Sequence, residues 1–450
     1  MFYIIESQEQ LKRLKVYKDF GCFLELIESN DLYHPKLTEV VAVYIRPVID
    51  KGQGYIVPIN HDEGLNQNFD DVCKVLRSFT KVYVLNKKRT LYHYIGKQEL
   101  IDLNLKEAML RFDRLDTETS VKTYNWFYSK YGHLANVNQI IPLTKHYERC
   151  EELYSRVEGL IKEEEPAGFQ FYNETATKVY FMVEQSGMRV DTWGFLKNFK
   201  LNNEGYSLDG ETVYTSYNLC NPTSRPTNAF NGVNFLAIPK GQEFRQCFKS
   251  RFGKEGMFVQ FDWDGYHLRL VSEQIGYKLK LDEKAHLQLA KLWYGKDEIS
   301  DVEYGKAKAM NFQIIYGAIP EEYRGLEFTD KVQTYIDELW KQYRKDGYVT
   351  NPVSGKQFTK NLKDMKPNKL MNYMVQSLET ARNVEVLCKV LRMLNKNQYK
   401  SKVILITYDS FLVDWSYEDG EEVLTEIKKI MEGKGGQYPV SEDRSLDLNF

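Results

Sequence analysis

Residues 403–415 read VILITYDSFLVDW: two apolar stretches, Val403–Thr407 and Phe411–Trp415, about a tight Tyr408-Asp409-Ser410 turn. Branched and aromatic residues flanking a polar turn predict a hairpin with Asp409 at its tip. Upstream, Met257–Asp262 predicts a strand that passes through Trp263-Asp264-Gly265 into a helix from about Tyr266. An ionised carboxylate at the end of an apolar strand is costly to bury alone. Taken singly, Asp262 reads as a helix cap and Asp409 as an ordinary turn residue. If the strands are neighbours, both carboxylates meet at one sheet edge, where such a pair can bridge two Mg²⁺ ions about 3.5–4 Å apart.

Between them, Tyr304, Lys308, Phe312 and Tyr316 recur every fourth residue and share one helix face, with Lys306 roughly opposite. Aromatics at this spacing usually mean core, but the lysine in the stripe suits a surface that stacks a base and draws in a triphosphate.

The wider chain has 450 residues, which suggests about three domains. With 28 glycines, 12 prolines and 14% aromatics it is neither collagenous nor disordered. No apolar run approaches the roughly 20 residues that span a bilayer, and Met1–Lys15 lacks the pattern of a signal peptide. Six cysteines without a CxxC pair indicate neither a disulfide framework nor a cysteine zinc site. A soluble, cytoplasmic protein is expected. Sixty-one basic against 63 acidic residues exclude a globally basic nucleic-acid binder but not a local groove. Lys341, Arg344, Lys345, Lys356, Lys360, Lys363, Lys366 and Lys369 form one basic stretch, readable as a solvated surface or as a phosphate-contacting strip.

Four short strands, at Cys22–Ile27, Glu39–Ile45, Tyr55–Ile59 and Lys81–Leu85, with a helix at Asp70–Ser78, predict an α/β unit. A helix over Thr144–Glu165 ends in the breaker 163–168, and helical periodicity resumes at Asn173–Ser186. Further helices are predicted at Val302–Tyr316, Thr329–Lys345, Lys369–Asn395 and Gly420–Glu432, followed by a short tail. The C-terminal class is α+β.

In this order, the three segments resemble motifs A, B and C of the family A (bacterial DNA polymerase I-like) DNA polymerases. The family's Asp-x-x-x-x-Glu-Leu-Arg is met by Asp262 with His267-Leu268-Arg269. Its Lys-x-x-x-Phe-x-x-x-Tyr-Gly is met by Lys308, Phe312, Tyr316 and Gly317, and its His-Asp-Glu turn by Tyr408-Asp409-Ser410. Thr223-Ser224-Arg225, followed by Ile238-Pro239 and Arg245-Gln246-Cys247-Phe248, is similar to the Thr-Gly-Arg block that grips the primer–template minor groove. Met182–Asp191 is similar to the helix before the thumb. Gly347-Tyr348-Val349 with Gly355-Lys356, and Asn372 with Gln376, are similar to the end of the fingers and the template-side helix. The resemblance covers about residues 170–450.

The resemblance implies an α+β polymerase palm and fingers in a right-hand architecture, preceded by an α/β RNase H-like exonuclease-type domain. The division would be 1–165, a degenerate 3′–5′ exonuclease-like domain; 166–222, a linker helix and reduced thumb; 223–300, palm; 301–368, fingers; and 369–450, palm. It implies a template-directed DNA polymerase, and the compactness of the chain and the absence of a targeting segment point to a phage-type enzyme over an organellar one. Two Mg²⁺ ions would be held by Asp262, Asp409 and the Trp263 carbonyl, with Lys308 completing the catalytic set. Tyr304, Lys308, Phe312, Tyr316 and His267 would receive the nucleotide. Thr223, Arg225, Arg245, Asn372, Gln376, Lys356 and Lys363 would touch DNA. The implied partners are primer–template DNA, deoxynucleoside triphosphates and a processivity or thumb-replacing subunit, with no membrane, in the cytoplasm (the host's if phage-encoded).

Several positions depart from the pattern. His267 stands where the family has the Glu that, with the Tyr316 position, helps exclude a ribose 2′-hydroxyl. Tyr304 replaces an Arg, and Ser410 a Glu. Only Thr192–Pro222 is available for a thumb, so the isolated chain is expected to be distributive. In the N-terminal unit, Glu25 and Glu151 are candidate remnants of an exonuclease carboxylate cluster, although surface glutamates are the blander account. Two alternatives stay open: a primer-extending polymerase that tolerates ribonucleotides, and a catalytically idle DNA-binding replication subunit. His286 is expected to be structural.

Overall fold

The computed structural model describes residues 2–199, 208–228, 234–235, 238 and 242–450. Strands β1 (Cys22–Glu28), β2 (Val40–Pro47) and β3 (Tyr55–Pro58) form an antiparallel meander. Helix α1 (Phe69–Leu76) leads to β4 (Lys81–Val84), parallel to β1, and β5 (Glu99–Asp102) runs parallel to β4. The order is therefore β3-β2-β1-β4-β5. The apolar runs of β1 and β2 are continuous rather than alternating because both faces are covered. Phe23, Ile27 and Tyr44 face one core, while Cys22, Leu24 and Val43 face another. Helices α2 (Lys122–Tyr131) and α3 (Leu143–Lys162) follow, and α3 packs Leu153 and Val157 into the first core.

The breaker after α3 is a packed junction rather than a free tether. Gly168 has φ +76°, and a Cβ there would lie 2.5 Å from the Lys356 backbone nitrogen. The periodic stretch expected at Asn173–Ser186 is split into a π-turn at Phe171–Ala176 and helix α4 (Thr177–Ser186). Thr177 Oγ1 donates to the Tyr172 carbonyl at 2.9 Å, holding the widened turn.

In the segment expected to form a reduced thumb, a helix at Thr192–Asn198 is followed by strand pairs from Leu208–Asp209 and Thr212–Val213. These join Met188–Val190 and Phe248–Lys249 in a small sheet. Residues 200–207 of that segment, and Pro239, lie outside the described residues.

The C-terminal half is built on β6 (Gly256–Trp263), β7 (Lys402–Thr407), β8 (Ser410–Ser416) and β9 (Val440–Ser445). All pairings are antiparallel, in the order β7-β8-β6-β9. Residues Val440–Ser445, where the sequence predicts only a short tail, form an edge strand. Their polar composition suits an edge exposed to water and hides the strand from an apolar pattern.

Inserted between β6 and β7 are helices α5 (Tyr266–Gln274), α6 (Ala285–Tyr294), α7 (Asp301–Ile315), α8 (Glu327–Asp346) and α9 (Pro367–Lys396). Ile314, Ile315, Phe328, Val332 and Met371 tie α7, α8 and α9 into a separate core. Helix α10 (Gly420–Glu432) buries Val423, Leu424 and Ile427 in the large core that includes the four-stranded sheet. Among the described residues no helix is long and apolar enough to cross a membrane.

Candidate active site

Strand pairing brings the two acidic strand ends together. In register, Asp262 faces Ser410 on β8 and Ser441 on β9. The Trp263 amide donates to the Asp409 carbonyl at 3.0 Å. Gly265 makes the turn into α5: its φ is +54°, and a Cβ would meet the Ala285 Cβ at 2.7 Å. The chain can thus leave β6 at Asp262 and return within one turn as α5, which carries His267 over the same opening.

Asp262, Asp409, Lys308, Tyr304, Phe312, Tyr316 and His267 all line one cavity of about 720 Å³, as does Trp263. Burial, then the Asp409 carboxylate, push Asp262 up to about 7, while Lys308 opposes the shift. Asp409 is raised too, by burial and then by Glu379. Like charges sharing a desolvated wall attract a cation. The donors are hard oxygens, with Asp443 adding to the negative field on Asp262. Among the described residues no group of three or more histidine, cysteine or acidic side chains is arranged to hold a metal. Two carboxylates nevertheless fit Mg²⁺, which commonly takes one or two from protein and the rest from phosphate and water.

The other wall is α7. Ser300 caps it, and Glu303 closes a capping box, fixing where the helix starts and hence which face turns inward. Lys308 is exposed into the cavity, and Phe312 and Tyr316 stack at 6.2 Å between ring centroids. His286 borders the cavity and is structural in its contacts: Asn311 Nδ2 lies 3.1 Å from its Nδ1, and its ring meets Phe312 at 5.3 Å.

Of the residues expected to touch DNA, only Arg225 reaches this cavity. Its Nε donates to Glu379 at 2.8 Å, and its guanidinium lies 3.7 Å above the Tyr408 ring. Thr223 is buried and donates to Asn221 Oδ1 at 3.2 Å. Arg245 donates to the carbonyls of Leu448 and Ile238, both at 3.3 Å. Gln376 donates to Asn372 at 2.8 Å on α9, and Lys363 is exposed.

Lys356 corrects the basic-strip reading. It is 1% exposed, its Nζ donates to Ser224 Oγ at 2.6 Å, and burial lowers its pKa to about 7. It braces Ser224, which has φ +55°, and so supports the Thr223–Arg225 turn from inside. The extra acids near the site are likewise structural. Asp264 accepts from Arg269 Nη2 at 2.7 Å and from the Ala285 amide at 2.8 Å. Asp414 accepts from Ser250 and Arg251.

Sequence reasoning missed Glu379, Tyr408 and Asp443 as cavity residues. Glu379 sits in a buried turn of α9 among Ser377, Leu378, Thr380 and Ala381, and nothing in the spacing of neighbouring residues marks it.

A second cavity, of about 510 Å³, opens on the N-terminal sheet. Glu25, Glu28 and Asp31 line it together with Arg89 and Arg149. Arg89 holds Glu28 with both Nε (2.6 Å) and Nη2 (2.8 Å). Burial opposes ionisation of Glu28, but Arg89 and His93 together outweigh it and hold the carboxyl low. Arg149 Nη2 lies 3.6 Å from Glu25 and 3.7 Å from Asp31. Burial raises Glu25 to about 7 despite Arg149. Glu25 is therefore not a surface glutamate; Glu151 is partly exposed and clasped by Tyr44 and Arg46.

Comparison with solved structures gives a match over 100% of this chain and 99% of the other: the POL domain of Pol1 from M. smegmatis in complex with DNA primer–template and dNTP, with a TM-score of 0.68 and 13% identity. The fold is that of a DNA polymerase I polymerase domain. Curated relatives agree with this likeness. DNA polymerase I of Caldicellulosiruptor bescii is 26% identical over 237 residues, 45% of this chain and 28% of the relative. DNA polymerase I of Synechocystis is 22% identical over 275 residues, 50% of this chain and 28% of the relative. The DNA polymerase of Bacillus phage SP01 is 22% identical over 254 residues, 46% of this chain and 27% of the relative. The chain is matched over less than a third of the length of these relatives. In sequence and fold it is similar to the family A polymerases. No protein-family model matches it.

Proposed function

We propose that the chain is a template-directed DNA polymerase that extends a primer 3′ end with deoxynucleotides by two-metal phosphoryl transfer. The observation that carries this reading is the convergence of Asp262 and Asp409, opposite Lys308 and the Phe312–Tyr316 stack, in one cavity. Asp262, Asp409 and the Trp263 carbonyl would hold two Mg²⁺ ions. When bound, these supply charge neutralisation at the phosphates and activation of the primer hydroxyl. Lys308 draws in the triphosphate; Phe312, Tyr316 and Tyr304 offer rings to the incoming base; His267 closes the sugar side. Phosphoryl transfer asks mainly for positioning and charge, and these groups provide both. Arg225 and the exposed lysines, Lys363 among them, would meet the duplex.

The domain division given above remains our reading, with residues 1–165 as an RNase H-like, exonuclease-type unit. Its sheet order, an antiparallel meander with two added parallel strands, supports that assignment. Its acid cluster does not fit metal ions, because guanidinium groups already take the carboxylates. We therefore read it as a scaffold. A short thumb implies a processivity partner, and the phage relative fits a phage-type enzyme working in host cytoplasm.

Primer extension tests the proposal. Wild type should incorporate deoxynucleotides with Mg²⁺, and Asp409→Ala should lower the rate about a thousandfold while keeping its fold by circular dichroism. Extension with ribonucleotides as readily as deoxynucleotides would favour the ribonucleotide-tolerant reading. Incorporation from neither pool would favour the idle subunit.

A further inference from the structure

Glu379 lies in the middle of α9 and is 1% exposed. A carboxylate so deeply buried is strongly destabilising unless well paired, and groups from two other parts of the chain meet it. Arg225 Nε donates to it at 2.8 Å, and His267 Nε2 lies 2.9 Å from its Oε1. The other ring nitrogen of His267, Nδ1, lies 2.8 Å from the Tyr316 hydroxyl. Nε2 faces the carboxylate without the alignment of a hydrogen bond, and the negative charge there favours the imidazole proton on Nε2, leaving Nδ1 to accept from the phenol. The carboxylate thus sets the tautomer, the tautomer sets the direction of the Tyr316 hydrogen bond, and one chain of contacts joins α9, α5 and the end of α7.

We propose that Glu379, acting through His267, is the positioning residue that pins Tyr316 as the wall against which deoxyribose is selected over ribose. The inference rests on the polymerase reading above. His267 supplies a ring at the sugar side but no carboxylate, and α9 supplies the carboxylate from behind. With Nε2 protonated and turned to Glu379, and Nδ1 bonded to Tyr316, neither ring nitrogen is left as a free acceptor. A ribose 2′-hydroxyl pressed against this wall loses water, finds no free acceptor on the imidazole, and must displace rings held from three elements. Leaving a polar group unpaired in a desolvated site is a strong source of discrimination.

The test is single-nucleotide primer extension by the full chain with Mg²⁺, using a deoxynucleotide and its matching ribonucleotide. Wild type, Glu379→Gln, Tyr316→Phe and the double variant are compared. The readout is the ratio of kcat/KM for the two sugars, which loss of folded protein does not move because both substrates meet the same enzyme. Glu379→Gln should lower the deoxy-over-ribo ratio about tenfold, mainly through a lower ribonucleotide KM. Tyr316→Phe should lower it similarly, and the double variant no further than the larger single effect, since both break one link. An active wild type whose ratio is unchanged in Glu379→Gln overturns the inference and leaves the polymerase reading standing, as do additive effects in the double variant. If Glu379→Gln does not fold, an unchanged ratio in Tyr316→Phe overturns it. A wild type that extends with neither nucleotide overturns both.

Discussion

At the residue scale, the cavity is governed by two carboxylates that repel each other. Asp262 is raised from an ordinary 3.8 to about 7, by burial first and Asp409 second. A folded-state value above the unfolded one means the folded protein takes up a proton that the unfolded chain does not. Stability therefore falls as pH rises from about 4 to 7, and the repulsion is fully present above 7. In EDTA at pH 8, Asp262→Asn should raise the melting temperature by about 2 °C, a gain that shrinks towards pH 5. Mg²⁺ should recover the same stability in wild type, because it binds the folded form. A melting series over pH with and without Mg²⁺ checks both. Lys356 carries the opposite lesson. In a run of lysines its letter looks like a surface cation, and only its place behind Ser224 makes it an internal brace.

At the element scale, α7 was legible because its four-residue repeat fixes its inward face; the capping box that fixes its start came from the structure. The same geometry separates two lysines two positions apart. Lys308 borders the cavity and Lys306 does not. Lys308→Ala should lower kcat/KM for deoxynucleotides roughly tenfold to a hundredfold. Lys306→Ala, with the same change in helix propensity, should stay within about twofold of wild type in the same steady-state assay. The hairpin at Asp409 and the strand ending at Asp262 were equally legible, since apolar branched residues broken by a polar turn have few other readings. The edge strand β9 was not, because a strand whose residues are nearly all polar and open to water carries no apolar alternation.

At the scale of the whole molecule, two cavities share acidic linings but differ in how the charge is balanced. Around Asp262 and Asp409 burial and a neighbouring acid raise each carboxyl, Asp409 acting on Asp262 and Glu379 on Asp409; on the N-terminal sheet Arg89 and Arg149 already neutralise the acids. Arg89→Ala would strand Glu28, which is 2% exposed, and should cost about 3 kcal/mol in urea unfolding. The wild-type chain should not trim a 3′ mismatch when Mg²⁺ is added; trimming that survives Asp409→Ala but not Glu25→Gln would refute the scaffold reading. The sequence by itself determined the apolar strands that carry Asp262 and Asp409, the long helices, the acidic turn and the lysine–aromatic face, because each is written in local periodicity and turn chemistry. Only the tertiary structure decided that Glu379 stands behind His267, that Lys356 is internal, and that arginines occupy the N-terminal acid cluster. Those facts depend on contacts between residues some 60 to 150 positions apart in the chain, and burial at such distances leaves no trace in the spacing of neighbouring letters.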